Sequence, residues 1–119
     1  MKYKKYFIVI FFLILSCTDE ISKHKAITEG KIINKLNRAK GGYRLEYEYK
    51  VNNILYTGET AIAIYKCQYE TSFAFKYFPV VYSTINPEKS SILIQPYTFK
   101  YYGYEFPDSL SWVKECFGD

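Results

Sequence analysis

Residues 43–56 read YRLEYEYKVNNILY, and this stretch decides the fold class. Over Tyr43–Val51, apolar side chains alternate with charged ones at every second position. That period is typical of a strand with one buried and one solvated face, whereas a helix would scatter the same apolar residues around its surface. The charged members of the alternation are Arg44, Glu46, Glu48 and Lys50.

Asn52-Asn53 follows this strand and predicts a tight hairpin, because Asn tolerates the left-handed backbone of a two-residue turn. The chain then returns through residues 54–56. The turn predicts two facing pairs, Val51 with Ile54 and Tyr49 with Tyr56. All four side chains would share one face of the sheet, so the turn and the hydrophobic pattern favour the same register.

Outward from the hairpin, the sequence predicts strands over residues 28–36, 61–65, 76–83 and 91–95. Residues 37–42 are predicted to form a loop, and Asn86-Pro87 a turn. Residues 97–106 would form a last strand or a packed arm. Asp108 or Ser109 would cap a short helix over residues 110–116. The expected fold is mainly β, a small antiparallel curved sheet or barrel with a short C-terminal helix.

Length and composition suit one such domain. The chain has 119 residues, of which 20% are aromatic, with 14 Tyr and 9 Phe. A chain this apolar can form a core, and its enrichment in Tyr, Phe and Ile favours strands over helices. One β-domain is expected over residues 27–119.

The first 17 residues have the features of a secretion signal. Three lysines precede an apolar run over residues 7–15. As a helix this run would be about 14 Å long, too short for a hydrocarbon core of about 30 Å, but suitable for a signal peptide. The run ends in Ile14-Leu15-Ser16-Cys17, which resembles the lipobox of bacterial lipoproteins. A conventional signal or an uncleaved anchor is the alternative.

The lipobox resemblance implies removal of residues 1–16 and attachment of lipid to Cys17. Residues 17–26 would then be a flexible tether between the lipid and the domain. Thr18-Asp19-Glu20 is similar to the acidic surface-export signal of Bacteroidetes lipoproteins, or is simply a solvated part of the tether. The expected location is the bacterial cell envelope, on the periplasmic or surface face of the outer membrane.

The net charge of +4 is concentrated in the predicted signal. Removal of the signal would also remove Lys2, Lys4 and Lys5. The mature chain would then contain 13 basic and 12 acidic residues. A nucleic-acid-binding protein usually keeps a basic patch. Nucleic acid is therefore not expected as a partner, whereas the membrane is, through the lipid anchor.

Several short segments appear in an order that is similar to small uncharacterised β-domains of the DUF3592-like type. The resemblance covers about residues 28–95. It is carried by Gly30-Lys31-Ile32, residues 47–52, Tyr56-Thr57-Gly58, residues 77–82 and residues 86–90. The group has no agreed activity, so the resemblance implies a β fold and leaves the function open.

Catalytic and metal-binding patterns are weak, and we expect neither an enzyme nor a cofactor. His24 is the only histidine and lies in the predicted tether, so neither a zinc site nor a nucleophile with a histidine base is indicated. Glu46 and Glu48 share a strand face and would suit a glycosidase only if they lined a cleft. The alternation of charge around them favours a solvated strand face.

Cys67 and Cys116 are the two cysteines that remain if Cys17 carries lipid. In an oxidising envelope they form a possible disulfide that would connect the C-terminal helix to the sheet. Two buried free thiols are the alternative.

The aromatic residues of segment 97–106 have two interpretations. They could form a stacking platform for sugar or peptide, or they could cover the core of a small barrel. We expect a non-enzymatic binding or structural β-domain with a protein partner in the envelope. Alternatives are a periplasmic immunity lipoprotein that neutralises a toxin, and a glycan- or lipid-binding module that uses segment 97–106.

Overall fold

The computed structural model describes residues 20–37, 43–62 and 66–117. Five antiparallel strands form a curled half-barrel sheet, so the expected mainly-β fold is confirmed. The strands are β1 (Lys25–Asn37), β2 (Tyr43–Val51), β3 (Ile54–Ile62), β4 (Tyr77–Ser83) and β5 (Ser90–Ile92). The α-helices are α1 (Glu20–Lys23), α2 (Pro96–Tyr101) and α3 (Val113–Cys116), with a π-helical turn at Tyr69–Phe73 and a 3₁₀ turn at Asp108–Leu110.

The β2–β3 hairpin has the register that its sequence predicts. Val51 pairs with Ile54 and Tyr49 pairs with Tyr56. Asn52 and Asn53 have φ angles of 53° and 66°, as a two-residue turn of type I′ requires. The pairing continues without a bulge to Tyr43 opposite Ile62, because the alternation in β2 keeps one face apolar along its whole length.

The strand order is β3-β2-β1-β4-β5, which places β1 at the centre. β1 pairs with β2 along one side and with β4 along the other. Its pairing with β2 shifts register between Ile32 and Asn34. A bulge of this kind increases the local twist and helps a sheet to curl.

β1 begins at Lys25, three residues before the predicted start, so the expected tether over residues 17–26 is wrong from Glu20 onward. Lys25 and Ala26 pair with Ser83 and Tyr82 of β4. The helical turn α1 precedes them and packs Ile21 against a small apolar cluster. The Lys25 side chain also donates to the carbonyl of Tyr102 and lies 5.3 Å from the centroid of the Tyr104 ring. The polar composition of this segment does not reveal these contacts.

The main core lies on the inner face of the curl. It contains Leu45, Tyr47 and Tyr49 of β2, together with Phe73 from the π-helical turn and Val113 from α3. A smaller cluster of Val81, Leu93 and Phe99 lies on the outer face of β4 and β5. α1 and α2 cover this second cluster, which gives the thin sheet apolar contacts on both faces at that edge.

Segment 97–106 is not a strand, so that alternative is wrong. The segment packs against the outer cluster through Phe99 and Phe106, as the packed-arm alternative expected. Its first half is helical, because Pro96 has the fixed φ that suits a helix start and lacks the donor that would be unsatisfied there. The expected C-terminal helix is present, but it is shorter than predicted and divided into a 3₁₀ turn and α3. Neither Asp108 nor Ser109 caps it, since the 3₁₀ turn begins after Pro107 without a side-chain cap.

The remaining strand predictions differ mainly at their ends. The separate strand predicted over residues 61–65 is the end of β3, which runs without interruption from Ile54 to Ile62. Residues 63–65, like most of the predicted loop over 37–42, lie outside the described residues. β4 and β5 begin and end within three residues of their predicted limits. Within the described ranges, every helix is too short or too polar to span a bilayer.

Candidate functional site

The predicted lipidation site, Cys17, lies outside the described residues, as does the predicted signal. The described fold begins at Glu20, three residues later. Three residues of fully extended chain reach about 10 Å. A lipid on Cys17 would therefore hold the β-domain close to the membrane surface, and not at the distance of about 30 Å that a nine-residue tether would allow.

Cys67 and Cys116 form a disulfide in the structure, with their Cα atoms 5.0 Å apart. Cys116 is fully buried in the main core, whereas Cys67 packs against the edge of that core. The backbone N–H of Lys66 also donates to the carbonyl of Cys116 over 3.2 Å. The disulfide thus connects α3 to the segment after β3.

Glu46 and Glu48 lie on the outer face of the sheet, away from the main core. Glu46 is directly opposite Glu59 of β3, and Arg44 donates to Glu59 over 2.8 Å. Glu48 faces Thr57 on one side and Lys31 on the other. This is an open strand face on which carboxylates and basic groups alternate.

His24 lies between α1 and β1, where its side chain is exposed. Its carbonyl oxygen accepts from the backbone N–H of Thr84 over 2.7 Å, so this residue contributes to the fold through its backbone. Among residues 20–37, 43–62 and 66–117, no three His, Cys, Asp or Glu side chains come close enough to form a metal site.

β3 forms one edge of the described sheet. Val51 and Ile54 flank a two-residue turn and therefore form a hydrogen-bonded pair. From this pair onward, hydrogen-bonded and non-hydrogen-bonded pairs alternate along the hairpin. The N–H and C=O groups of Leu55, Thr57 and Glu59 therefore point away from β2. These three residues are exposed, and we call them the free edge of β3.

A cleft of about 240 Å³ opens where the end of β3 approaches β5 across the curl. We call it the seam cleft. One wall is formed by the end of β3, a second by β5 and the residues after it, and the third by α2. The described lining residues are Thr60, Ala61, Ile62, Ser91, Ile92, Ile94, Gln95, Tyr97, Thr98, Tyr101 and Tyr102.

The aromatic residues of segment 97–106 separate into two groups. Phe99 is buried and meets Phe106 edge to face, with ring centroids 5.2 Å apart. Tyr102 and Tyr104 are partly buried beside the same cluster. By contrast, the side chains of Tyr97 and Tyr101 are 69% and 72% exposed at the seam cleft. The core-covering interpretation therefore holds for part of the segment only.

Tyr47 lies inside the curl and contacts both β3 and β5. Its ring lies so close to Gly58 of β3 that a Cβ there would be 2.6 Å from the Tyr47 hydroxyl oxygen. That hydroxyl makes a 2.8 Å hydrogen bond with the Ser90 hydroxyl of β5. Burial raises the pKa of Tyr47 to about 12, although the hydrogen bond with Ser90 acts in the opposite direction. Tyr47 is therefore a neutral structural link between the two edges of the curl.

Comparison with known proteins identifies no relatives: no known protein family, curated protein or solved structure matches the chain. The resemblance to small uncharacterised β-domains stays a prediction, as does the lipobox.

The seam cleft was not predicted from the sequence. The wall from β3 is about 30 residues away in sequence from the other two walls, and no local pattern indicates that they meet. The spacing of Tyr97 and Tyr101 was an available signal. Had Pro96 been interpreted as a helix start, the i, i+4 spacing would have placed both rings on one face.

Proposed function

We propose that this chain is a non-enzymatic envelope lipoprotein, anchored through lipid on Cys17, whose β-domain binds an extended strand of a protein partner at the free edge of β3. The predicted signal over residues 1–17 supports the anchor and the envelope location. The free edge supports the mode of binding. Strand addition of this kind obtains affinity from backbone hydrogen bonds and specificity from alternate side chains.

The observation that carries the proposal is that β3, within the part of the chain that the structure describes, lacks the features that usually protect an edge strand. Natural edge strands are usually short, bulged, or marked by Pro or Lys, because an open ladder pairs readily with other chains. β3 has nine residues in continuous register with β2 and contains neither Pro nor Lys. Its one charged residue, Glu59, is paired with Arg44. β5, at the other described edge, has only three residues.

The test uses a proline that removes one outward donor from the free edge. Thr57→Pro should leave the β2–β3 ladder intact, because the N–H of Thr57 points away from β2 and edge strands tolerate proline. A photo-crosslinking side chain at Leu55, in the full chain in its own envelope, should give a discrete adduct. We expect Thr57→Pro to reduce the adduct at least about fivefold, as the loss of about 1 kcal/mol predicts.

Thr57→Ala is the matched control, since it shortens the same side chain and keeps the N–H. It should retain the adduct. A crosslinker at Tyr77, on the outer face of β4, should give no product that depends on residue 57. Equal adducts from the proline and alanine variants would refute strand addition. For the anchor, Cys17→Ser should lose incorporation of labelled fatty acid and leave the membrane fraction.

A further inference from the structure

We propose that the seam cleft is a binding site for a neutral saccharide, with Tyr97 and Tyr101 as its stacking surfaces. This inference is independent of the free edge of β3 and of the lipid anchor. It would add a ligand-binding function to a domain whose other candidate surface recognises protein backbone.

The described lining of the seam cleft contains no charged residues, although the chain has many. None of its eleven described lining residues is acidic or basic, although 24% of the chain is Asp, Glu, Lys or Arg. A site for phosphate, carboxylate or an ammonium group would need an opposite charge or a cluster of aligned donors. The lining therefore favours an uncharged ligand.

Two tyrosines are held at the cleft by the geometry of α2. Tyr97 and Tyr101 are four residues apart and therefore lie on one face of the helix. Phe99 points the other way into the outer cluster and supplies the apolar contact that fixes the helix. The two tyrosine rings thus add little to the core and remain among the most exposed large side chains of the described residues.

Exposed tyrosine rings beside polar groups match the surface of a sugar. A pyranose has a face of C–H groups that can lie on an aromatic ring, while its hydroxyls extend sideways to donate and accept hydrogen bonds. The cleft offers hydroxyl groups from Thr60, Ser91 and Thr98 and an amide from Gln95. Each can donate as well as accept, as sugar hydroxyls require.

The size and openness of the cleft favour one sugar ring with the next ring extending outward. At about 240 Å³ the cleft is smaller than the range of about 300–1,000 Å³ that is usual for drug-sized ligands. A fatty acyl chain would need a longer wall without polar groups, whereas here hydroxyls and the amide are interspersed with Ile62, Ile92 and Ile94.

The experiment measures saccharide binding by the full chain, purified in a detergent without a sugar headgroup. An array of defined neutral and acidic oligosaccharides selects the best neutral glycan, and calorimetry then measures its Kd. We expect a Kd below about 1 mM, with no preference for acidic glycans. Tyr97→Ala and Tyr101→Ala should each raise the Kd about 3- to 10-fold, the range expected for loss of one stacked ring.

Tyr77→Ala is the matched control, because Tyr77 is 57% exposed and lies on β4 outside the seam cleft. It should leave the Kd unchanged, and all three variants should keep the wild-type unfolding temperature. The proposal is overturned if no neutral glycan binds, or if the Tyr97 and Tyr101 variants bind as the wild type does. It is also overturned if these variants lose affinity only for phosphatidylcholine–phosphatidylglycerol vesicles, which would assign both tyrosines to the membrane interface.

Discussion

Tyr47 makes the stability of the fold depend on pH in the alkaline range. Its folded pKa is about 12, and its ordinary value is 10.0. Below pH 10 both states hold the proton, so its contribution is fully present. Between pH 10 and 12 the unfolded chain releases the proton first, and the free energy of unfolding should fall by about 2–3 kcal/mol. Urea unfolding at pH 9, 10, 11 and 12 measures this loss.

Tyr47→Phe removes the ionising group and keeps the ring over Gly58. The variant should be less stable at pH 9, because the hydrogen bond between Tyr47 and Ser90 is lost, but should lose less stability than the wild type as the pH rises further. Burial also raises the pKa of Tyr49, so part of the alkaline loss will remain. Tyr97→Phe, which also removes a single tyrosine hydroxyl but at a position that is 69% exposed, is the matched control. Parallel curves for Tyr47→Phe and the wild type would contradict this account.

Which residues of β2 face inward could be predicted, but their partners could not. Alternation alone placed Leu45, Tyr47 and Tyr49 on one face, and all three are buried. The hydrogen bond from the Tyr49 hydroxyl to the carbonyl of Pro87, 2.6 Å long, joins residues 38 apart in sequence. Such a contact depends on the curl of the sheet, which no local pattern encodes.

Among the elements, the hairpin was predictable and α2 was not. The hairpin is local, because its turn chemistry and its alternation lie within 14 residues and agree. In segment 97–106 the abundance of Tyr and Phe favours strand by propensity, whereas Pro96 and the burial of Phe99 favour helix. Packing against Val81 and Leu93 decided the outcome, and these residues lie outside the segment.

The connection between α3 and the segment after β3 should depend strongly on the disulfide. Cys67 and Cys116 are 49 residues apart, and closing a loop of that size stabilises a fold by about 3–4 kcal/mol. Reduction should lower the free energy of unfolding by that amount, as measured by urea unfolding with and without dithiothreitol.

The double variant Cys67→Ala, Cys116→Ala should be at least as unstable as the reduced protein, because it also leaves a small cavity beside buried Val113. It should show no response to reductant. If reductant fails to shift the urea midpoint of the wild type, the disulfide does not contribute to stability in solution.

At the scale of the whole molecule, the sequence predicts a curved sheet but not where its edges meet. The seam cleft exists because Thr60–Ile62 of β3 approaches Ser91 and Ile92 of β5 across the curl. The degree of curl follows from the bulge in β1 and from the space that Tyr47 fills, and both depend on the assembled core. A binding site between distant edges therefore becomes visible only in three dimensions.

The docking of α1 predicts how the chain responds to protease near its N-terminus. A flexible tether would be cut rapidly by trypsin after Lys23 and Lys25. In the structure, Lys25 pairs with Ser83, and Ile21 packs against the outer cluster. Cleavage at both lysines should therefore be slow, because it requires local unfolding.

Ile21→Asp should accelerate this cleavage about fivefold or more, since it removes the apolar contact without altering either cleavage site. Ile85→Asp, at a position that is 65% exposed, should leave the rate unchanged. Mass spectrometry of the fragments over time measures these rates. Rapid cleavage of the wild type after Lys23 would contradict this prediction and support a flexible tether.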